Sequence, residues 1–249
     1  MQSKTKVLHI ISSVSAGGVE SLVVALIESM DREKFEFELA VFNPNQPIHQ
    51  EHLEKMGAKV NFISTAGCGN SIVARVSWRV KALWNYFLLI FSNNFEVVHC
   101  HNYDSYRFYI LLAMLRRIPI RIVHSHNAGG LNKRGINQLE RRVRSFFRFD
   151  WLITNKIGCS QMAVDWLFGT RSKSQVIYNG IDVRKFDMDN FDKEVMREKY
   201  NLGDGIQFIN VGRFSDQKNQ HFLIKIFYEL TKRRDDVFLT IVGFGPLKK

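Results

Sequence analysis

The stretch KVLHIISSVSAGGVESLVVALIESM (Lys6–Met30) decides the fold. Lys6–Ser12 is a short apolar run and reads as a strand. Gly17 and Gly18 turn the backbone, and a helix follows over about Val19–Met30. The same unit then recurs. Strands are expected at Phe35–Phe42, Lys59–Ile63, Phe95–Cys100, Ile120–His124, Trp151–Thr154 and Val176–Tyr178. Helices are expected near Ile48–Met56, Ser71–Asn93, Ser105–Arg116, Ile136–Phe149 and Ser160–Phe168. In the longest of these, Ile72, Val76, Val80, Leu83 and Phe87 share one face. Alternation with apolar strands requires parallel pairing, because parallel strands need crossover helices that cover both faces of the sheet. The expected class is α/β, a doubly wound parallel sheet with ligands at the carboxyl ends of its strands.

After Tyr178–Asp182 the texture changes. Asp182–Gly205 is highly charged and reads as a linker with one short helix near Lys193–Tyr200. Alternation then resumes with Gln207–Val211, a helix near Gln220–Arg233, and Val237–Val242. Two domains are expected, 1–185 and 186–249, the second having only two strands within this sequence.

The formal charge of +11 over 249 residues points to an anionic partner or to a solubilising basic surface. Nucleic acid ranks low, because no zinc-finger or RRM signature accompanies the charge. The segment NKRGINQLERRVRSFFRF (Asn132–Phe149) sets Ile136, Leu139, Val143 and Phe146 on one face and arginines elsewhere. Such a helix suits an anionic membrane surface, or equally an arginine-rich outer face packed on the sheet. Cys68, Cys100 and Cys159 are far apart with no CxxC pair, which disfavours a disulfide framework or structural zinc and fits a reducing cytosol. Ala82–Phe91 and Phe108–Leu115 fall short of the roughly 20 apolar residues that span a bilayer.

Three strand ends carry candidate chemistry. Gly17 and Gly18 let backbone amides approach a phosphate or a sugar hydroxyl at a helix N-terminus, unless the stretch is a plain turn. The G-x-G-x-x-G dinucleotide spacing is absent there. VVHCHN and IVHSHN end two strands, and period-two geometry points His99 with His101, and His124 with His126, to common faces. Sugar-hydroxyl binding, core histidines and a metal site are the readings, with a metal disfavoured for want of an acidic ligand. Asn102 and Asn127 add amide groups at that rim. NVGRFSDQKN (Asn210–Asn219) brings Arg213 and Lys218 to a turn opening a helix, a sensible diphosphate clamp if it is not a solvated loop.

These motifs, in order, resemble family 4 glycosyltransferases of bacterial exopolysaccharide and capsule synthesis. The carriers are SAGGVE, VVHCHN, VHSHN, CSQMAVDWLFG, VIYNGID, NVGRFSDQKN and VGFGPL. The resemblance implies a GT-B fold of two Rossmann-like domains, an N-terminal acceptor domain and a C-terminal nucleotide-sugar domain. It implies retaining transfer from a nucleotide-sugar, taken as UDP-linked, to a glycan or polyprenyl-linked acceptor, with no cofactor and no metal. Leaving-group diphosphate would fall to Arg213 and Lys218, helped by backbone amides near Gly17 and Gly18 and by the turn holding Gly243 and Gly245. His101 would contact the transferred sugar, with His126 and Asn127 on the acceptor side. The family's E-x7-E carboxylates are expected beyond Lys249, so the resemblance implies a chain truncated in its donor domain and inactive as it stands. The alternative is a non-catalytic glycan or lipid-carrier binding module. The implied location is cytoplasmic, peripheral on the inner face of the plasma membrane.

Overall fold

The computed structural model describes residues 3–45, 47–64, 71–101, 106–127, 150–187, 189 and 191–247. The chain divides into two compact units, Met1–Ile181 and Asp182–Lys249, each with its own sheet.

Among the described residues the first unit has seven strands: β1 (Thr5–Ser13), β2 (Phe35–Asn43), β3 (Lys59–Phe62), β4 (Val97–Cys100), β5 (Ile120–Ser125), β6 (Asn155–Gly158) and β7 (Gln175–Val176). They lie in the order β3-β2-β1-β4-β5-β6-β7, and every pairing is parallel. Its helices are α1 (Gly18–Ser29), α2 (Gln50–Lys55), α3 (Ile72–Ser92), α4 (Tyr106–Leu115) and α5 (Gln161–Phe168). The strand order reverses between β1 and β4, so the crevice for a ligand opens at their carboxyl ends. Strand β1 is apolar on both faces because both are covered. Leu8 and Ile10 pack into a core shared with α3 and α4, while Val7 and Ile11 pack into one shared with α1.

Helix α3 starts at Ser71, whose hydroxyl accepts from the Ala74 amide at 3.0 Å. It ends at Asn93, whose side-chain amide donates to the Leu89 carbonyl at 2.8 Å. It packs on the sheet through Trp78, Ala82, Tyr86, Leu89 and Ile90. Of the residues that share a face by sequence periodicity, Leu83 packs against this core, whereas Ile72, Val76 and Val80 are exposed. The helix is apolar over most of its circumference, so periodicity alone does not choose the buried arc.

The expected strand Trp151–Thr154 is also corrected. Asp150–Leu152 is a 3-10 turn, and the strand begins at Asn155. The Arg121 guanidinium donates to the Leu152 carbonyl at 2.7 Å, which takes that carbonyl out of the ladder. Pairing with β5 begins only where the Thr154 amide donates to the Arg121 carbonyl at 2.9 Å. The expected helix over 136–149 lies outside the described residues.

The second unit holds α6 (Lys193–Lys199), β8 (Ile206–Val211), α7 (Gln220–Thr231) and β9 (Val237–Val242). Strands β8 and β9 pair in parallel in one register from Ile206–Val237 to Val211–Val242. Their carboxyl-end turns are stitched together by two backbone bonds. The Gly212 amide donates to the Val242 carbonyl and the Phe214 amide to the Phe244 carbonyl, both at 2.9 Å. The approach is close enough to exclude side chains. A Cβ at Gly243 would stand 1.9 Å from the Gly212 carbonyl oxygen, and one at Gly245 would stand 2.3 Å from that of Phe214. Backbone on both sides leaves nothing to rotate away. At Gly18 no atom lies within 4 Å of an added Cβ.

Gly243→Ala is therefore expected to destabilise the second unit by on the order of 1–3 kcal/mol, and Gly18→Ala to change stability by under about 0.5 kcal/mol. Amide hydrogen exchange of β8 and β9 reads the first effect locally. Unchanged protection in the Gly243 variant would contradict the stitched-turn account.

Candidate functional site

The turn after β1 is already occupied by an acid. Gly17 stands at the N-cap of α1 in extended conformation, with no side chain capping the helix. The Glu20 carboxylate folds back over the turn instead. Its Oε1 accepts from the Ser13 hydroxyl at 2.7 Å, and its Oε2 would lie 2.1 Å from a Cβ at Gly17. The positive pole of α1 thus faces an internal carboxylate. In this arrangement the turn offers an acceptor to a hydroxyl-bearing ligand. The Gly17 amide already donates to the Ser15 carbonyl at 2.9 Å, so an anion would have to displace that bond as well as Glu20 to use it. The sequence showed Glu20 in the first helical turn but not that it reaches back to Ser13.

The ends of β4 and β5 carry a histidine cluster larger than the two pairs read from the sequence. The register sets His9 of β1 beside His99 of β4. His9 Nδ1 lies 3.1 Å from His101 Nε2, and His101 Nδ1 lies 2.9 Å from His126 Nε2. Each contact needs one donor and one acceptor nitrogen, so the three rings form a hydrogen-bonded chain with its tautomers in sequence. Ring centroids of His99 and His101, and of His124 and His126, stand 4.1 Å apart, and His99 and His124 stack at 5.5 Å with only 6° between planes. His9 was missed as a member. The available signal was its odd-numbered place on β1, on the face of Val7 and Ile11.

Burial keeps these imidazoles neutral. It lowers His9 and His124 to about 4 and His126 to about 3, with neighbouring histidines adding to the shift at His9 and His126. His99 and His101 are pushed well below the usual histidine range, first by burial and then by the other rings. Among the described residues, both nitrogens of His124, Nε2 of His99 and Nδ1 of His126 have no hydrogen-bond partner. Asn127, next along the chain from His126, is exposed. Two triads have ligand spacing for a metal ion. They are His9, His99 and His101, and His101, His124 and His126, each with one nitrogen per ring within 4.8 Å. An ion there would replace the imidazole–imidazole hydrogen bonds at His101.

In the second unit, Arg213 and Lys218 are exposed on the turn that leads from β8 into α7. The Lys218 methylenes lie over Gly212, 3.8 Å from where its Cβ would be. Gln220, missed in the sequence, is buried and donates from Nε2 to the Arg213 carbonyl at 3.0 Å, which fixes the turn. Asn219 sits at the N-cap in the left-handed conformation (φ 50°) and makes no side-chain cap. Gly243 and Gly245 lie against this turn through the backbone bonds already described. The structure thus brings Arg213, Lys218, Gly243 and Gly245 to one strand-end corner, and His101, His126 and Asn127 to another.

Residues 16–185 match the family model described as Glycosyltransferase Family 4, and residues 192–249 match that described as Glycosyl transferases group 1. The chain is 27% identical over 260 residues to EpsF of Bacillus subtilis (strain 168), described as a glycosyltransferase. That match covers 98% of this chain and 63% of the relative. It is 25% identical over 245 residues to the capsular polysaccharide biosynthesis glycosyltransferase CapH of Staphylococcus aureus, covering 96% of this chain and 62% of the relative. The chain therefore spans under two thirds of the length of these two relatives. A glycosyltransferase structure from Rickettsia africae ESF-5 superposes with a TM-score of 0.63 at 15% identity, over 97% of this chain and 69% of that one, and shares its fold.

The histidine cluster sets a pH dependence. A histidine held neutral when folded binds a proton more readily when unfolded, so unfolding takes up protons between the two pKa values. Stability from the cluster is fully present above about pH 6.5 and is lost as pH falls towards about 4. Thermal unfolding followed from pH 8 to 4 should show the midpoint falling through that window, with proton uptake on unfolding. A flat profile there would show that the rings are not held neutral.

Proposed function

The chain belongs to Glycosyltransferase Family 4, and from that premise we propose that it serves sugar transfer from a nucleotide-sugar to a glycan or lipid-linked acceptor in exopolysaccharide or capsule synthesis. The carrying observation is the Gly212–Asn219 turn. Two exposed cations stand at a strand's carboxyl end, beside a helix N-terminus with no side-chain cap and two glycines that keep the surface low. This is a site for a diphosphate, not for a neutral ligand. The names of EpsF and CapH support the polysaccharide setting.

In this reading the donor is a UDP-sugar and transfer retains the anomeric configuration. Arg213 takes phosphate oxygens with its planar fork, and Lys218 adds a mobile charge. Their charge offsets the negative charge that builds on the departing diphosphate. The first unit supplies neutral hydrogen bonds. His101 orients the transferred sugar, held in place by His9 and His126. His126 and Asn127 serve the acceptor side. Both ring nitrogens of His101 are engaged by other histidines, so a direct bond from it to a sugar hydroxyl requires His126 to yield its place. At the Gly17–Gly18 turn, Glu20 is the first group such a ligand meets.

Calorimetric titration with UDP tests the donor half. Arg213→Ala and Lys218→Ala are each expected to weaken UDP binding about tenfold or more, about 1.4 kcal/mol, with β8 and β9 protection retained. Equal affinity in wild type and both variants would remove the diphosphate reading. His126→Ala should leave UDP affinity unchanged.

A further inference from the structure

We infer that His101, His124 and His126 form a binding site for one borderline divalent transition-metal ion, of which zinc is the type. The inference does not depend on the transfer reading, since it concerns what these rings coordinate and not what the chain transfers. One nitrogen of each ring lies within 4.8 Å of the other two. The rings come from two adjacent strand ends: His101 follows β4, His124 lies in β5 and His126 follows it. Strand pairing holds those ends side by side, with Cys100 opposite Val123. Each end is also tied down. The His101 amide donates to the Ile10 carbonyl at 2.9 Å, and the Ser125 hydroxyl, between the two β5 histidines, donates to the Ala163 carbonyl at 2.8 Å. The ligands are thus gathered by the sheet before an ion arrives. Tetrahedral nitrogens about 2.05 Å from zinc stand about 3.4 Å apart. His101 Nδ1 and His126 Nε2 are 2.9 Å apart, so an ion between them needs an opening of about 0.5 Å. A pair at the 4.8 Å limit has to draw in by about 1.4 Å, which imidazole rotation supplies.

Unused nitrogens are the second observation. His101 and His124 are 6% and 5% exposed. Among the described residues, neither nitrogen of His124 nor Nδ1 of His126 has a hydrogen-bond partner. A buried imidazole with both nitrogens idle costs free energy without a folding return, and coordination through its lone pair recovers that cost. The tautomers also fit. With His101 Nδ1 on the ion, its Nε2 carries the proton and donates to His9 Nδ1 at 3.1 Å. That is the outer hydrogen bond that orients a metal-bound histidine. His126 is partly exposed and gives the ion its way in. The other triad, His9, His99 and His101, offers less, because of its nitrogens only Nε2 of His99 is buried without a partner among the described residues. Ligand chemistry selects the ion. The want of an acidic ligand, which disfavours a metal on sequence grounds, is no obstacle to three neutral imidazoles. They leave a fourth position open for water and suit zinc, cobalt, nickel and copper. Magnesium, calcium and manganese favour oxygen ligands and are not expected here.

Cobalt titration of the full 249-residue chain, purified without a histidine tag and stripped with chelator, tests this. One equivalent should bind with the intense visible absorption of four-coordinate cobalt. Zinc should displace it, and magnesium in large excess should not. His124→Ala and His126→Ala should each weaken cobalt binding about hundredfold. His52→Ala, at a surface ring 2.7 Å from Glu28, should change it by less than about twofold. His126 is the less buried of the two ligand positions varied, so His126→Ala should keep the wild-type far-ultraviolet circular dichroism, and it decides the matter if His124→Ala does not fold. Folded wild type without the absorption, or equal absorption in wild type and His126→Ala, would overturn the inference. So would a His99→Ala variant that loses the absorption while His126→Ala keeps it, since the ion would then sit on the other triad. None of these readings involves UDP, so failure here leaves the donor reading untouched.

Discussion

Everything in the first unit hangs on β1 being hydrogen-bonded on both sides, to β2 and to β4, in parallel. A strand so placed has both faces and both edges removed from water. Its buried positions are mostly apolar, as Val7, Leu8, Ile10 and Ile11 are, and the buried polar ring among them, His9, lies 3.1 Å from His101 in a hydrogen bond. Parallel pairing also aligns every strand's carboxyl end on one rim. Ser13 with its glycine turn and Cys100 with its histidines then flank one crevice, because β1 is the point where chain progression reverses direction across the sheet. The candidate site residues of this unit are thus located by backbone hydrogen bonds before any side chain is considered.

The two strand-end corners divide the electrical labour. Five imidazoles gathered by β1, β4 and β5 are too buried to hold charge, so they can hydrogen-bond a ligand but cannot neutralise one. The turn after β1 carries a carboxylate, which gives it the wrong sign for a phosphate at rest. The positive charge suited to a diphosphate resides on the exposed Arg213 and Lys218 of the second unit, where solvation costs nothing until the ligand arrives. Neutral hydrogen-bonding rings and exposed cations are thus carried on different sheets of this chain.

What the sequence made legible was what backbone periodicity controls. The strand–helix alternation, the glycine turns, the two His-x-His ends and the Arg213–Lys218 turn all follow from spacing along the chain. The failures have one physical origin, which is that contacts between distant residues decide them. His9 joins the histidine chain through the β1–β4 register, 92 positions away from His101. Arg121 claims the Leu152 carbonyl and moves the start of β6. Glu20 lies across the Gly17 surface that the glycine-turn reading left open. Gln220 braces the cationic turn from beneath, a role that its position at a helix start gives no hint of.

Helix α3 is the case where periodicity was present but undecided. A helix apolar around most of its circumference normally lies inside a core. Here only the arc with Ala82, Tyr86 and Ile90 is inside, anchored by the bond from the Asn85 side chain to the Ile63 carbonyl at 2.9 Å. The choice of arc follows from size and shape. Ala82 lets the helix approach the sheet, and Tyr86 has the reach to hydrogen-bond across to α4, whereas Trp84 and Val80 offer bulk with no such partner. Packing therefore accounts for the inner arc and leaves the outer one without a folding reason. Aliphatic and aromatic side chains held in water without such a reason weaken solubility, and the absence of acids on both α3 and α4 leaves their cations uncompensated as well. Two independent departures from an ordinary surface, one hydrophobic and one electrostatic, coincide on the same pair of helices.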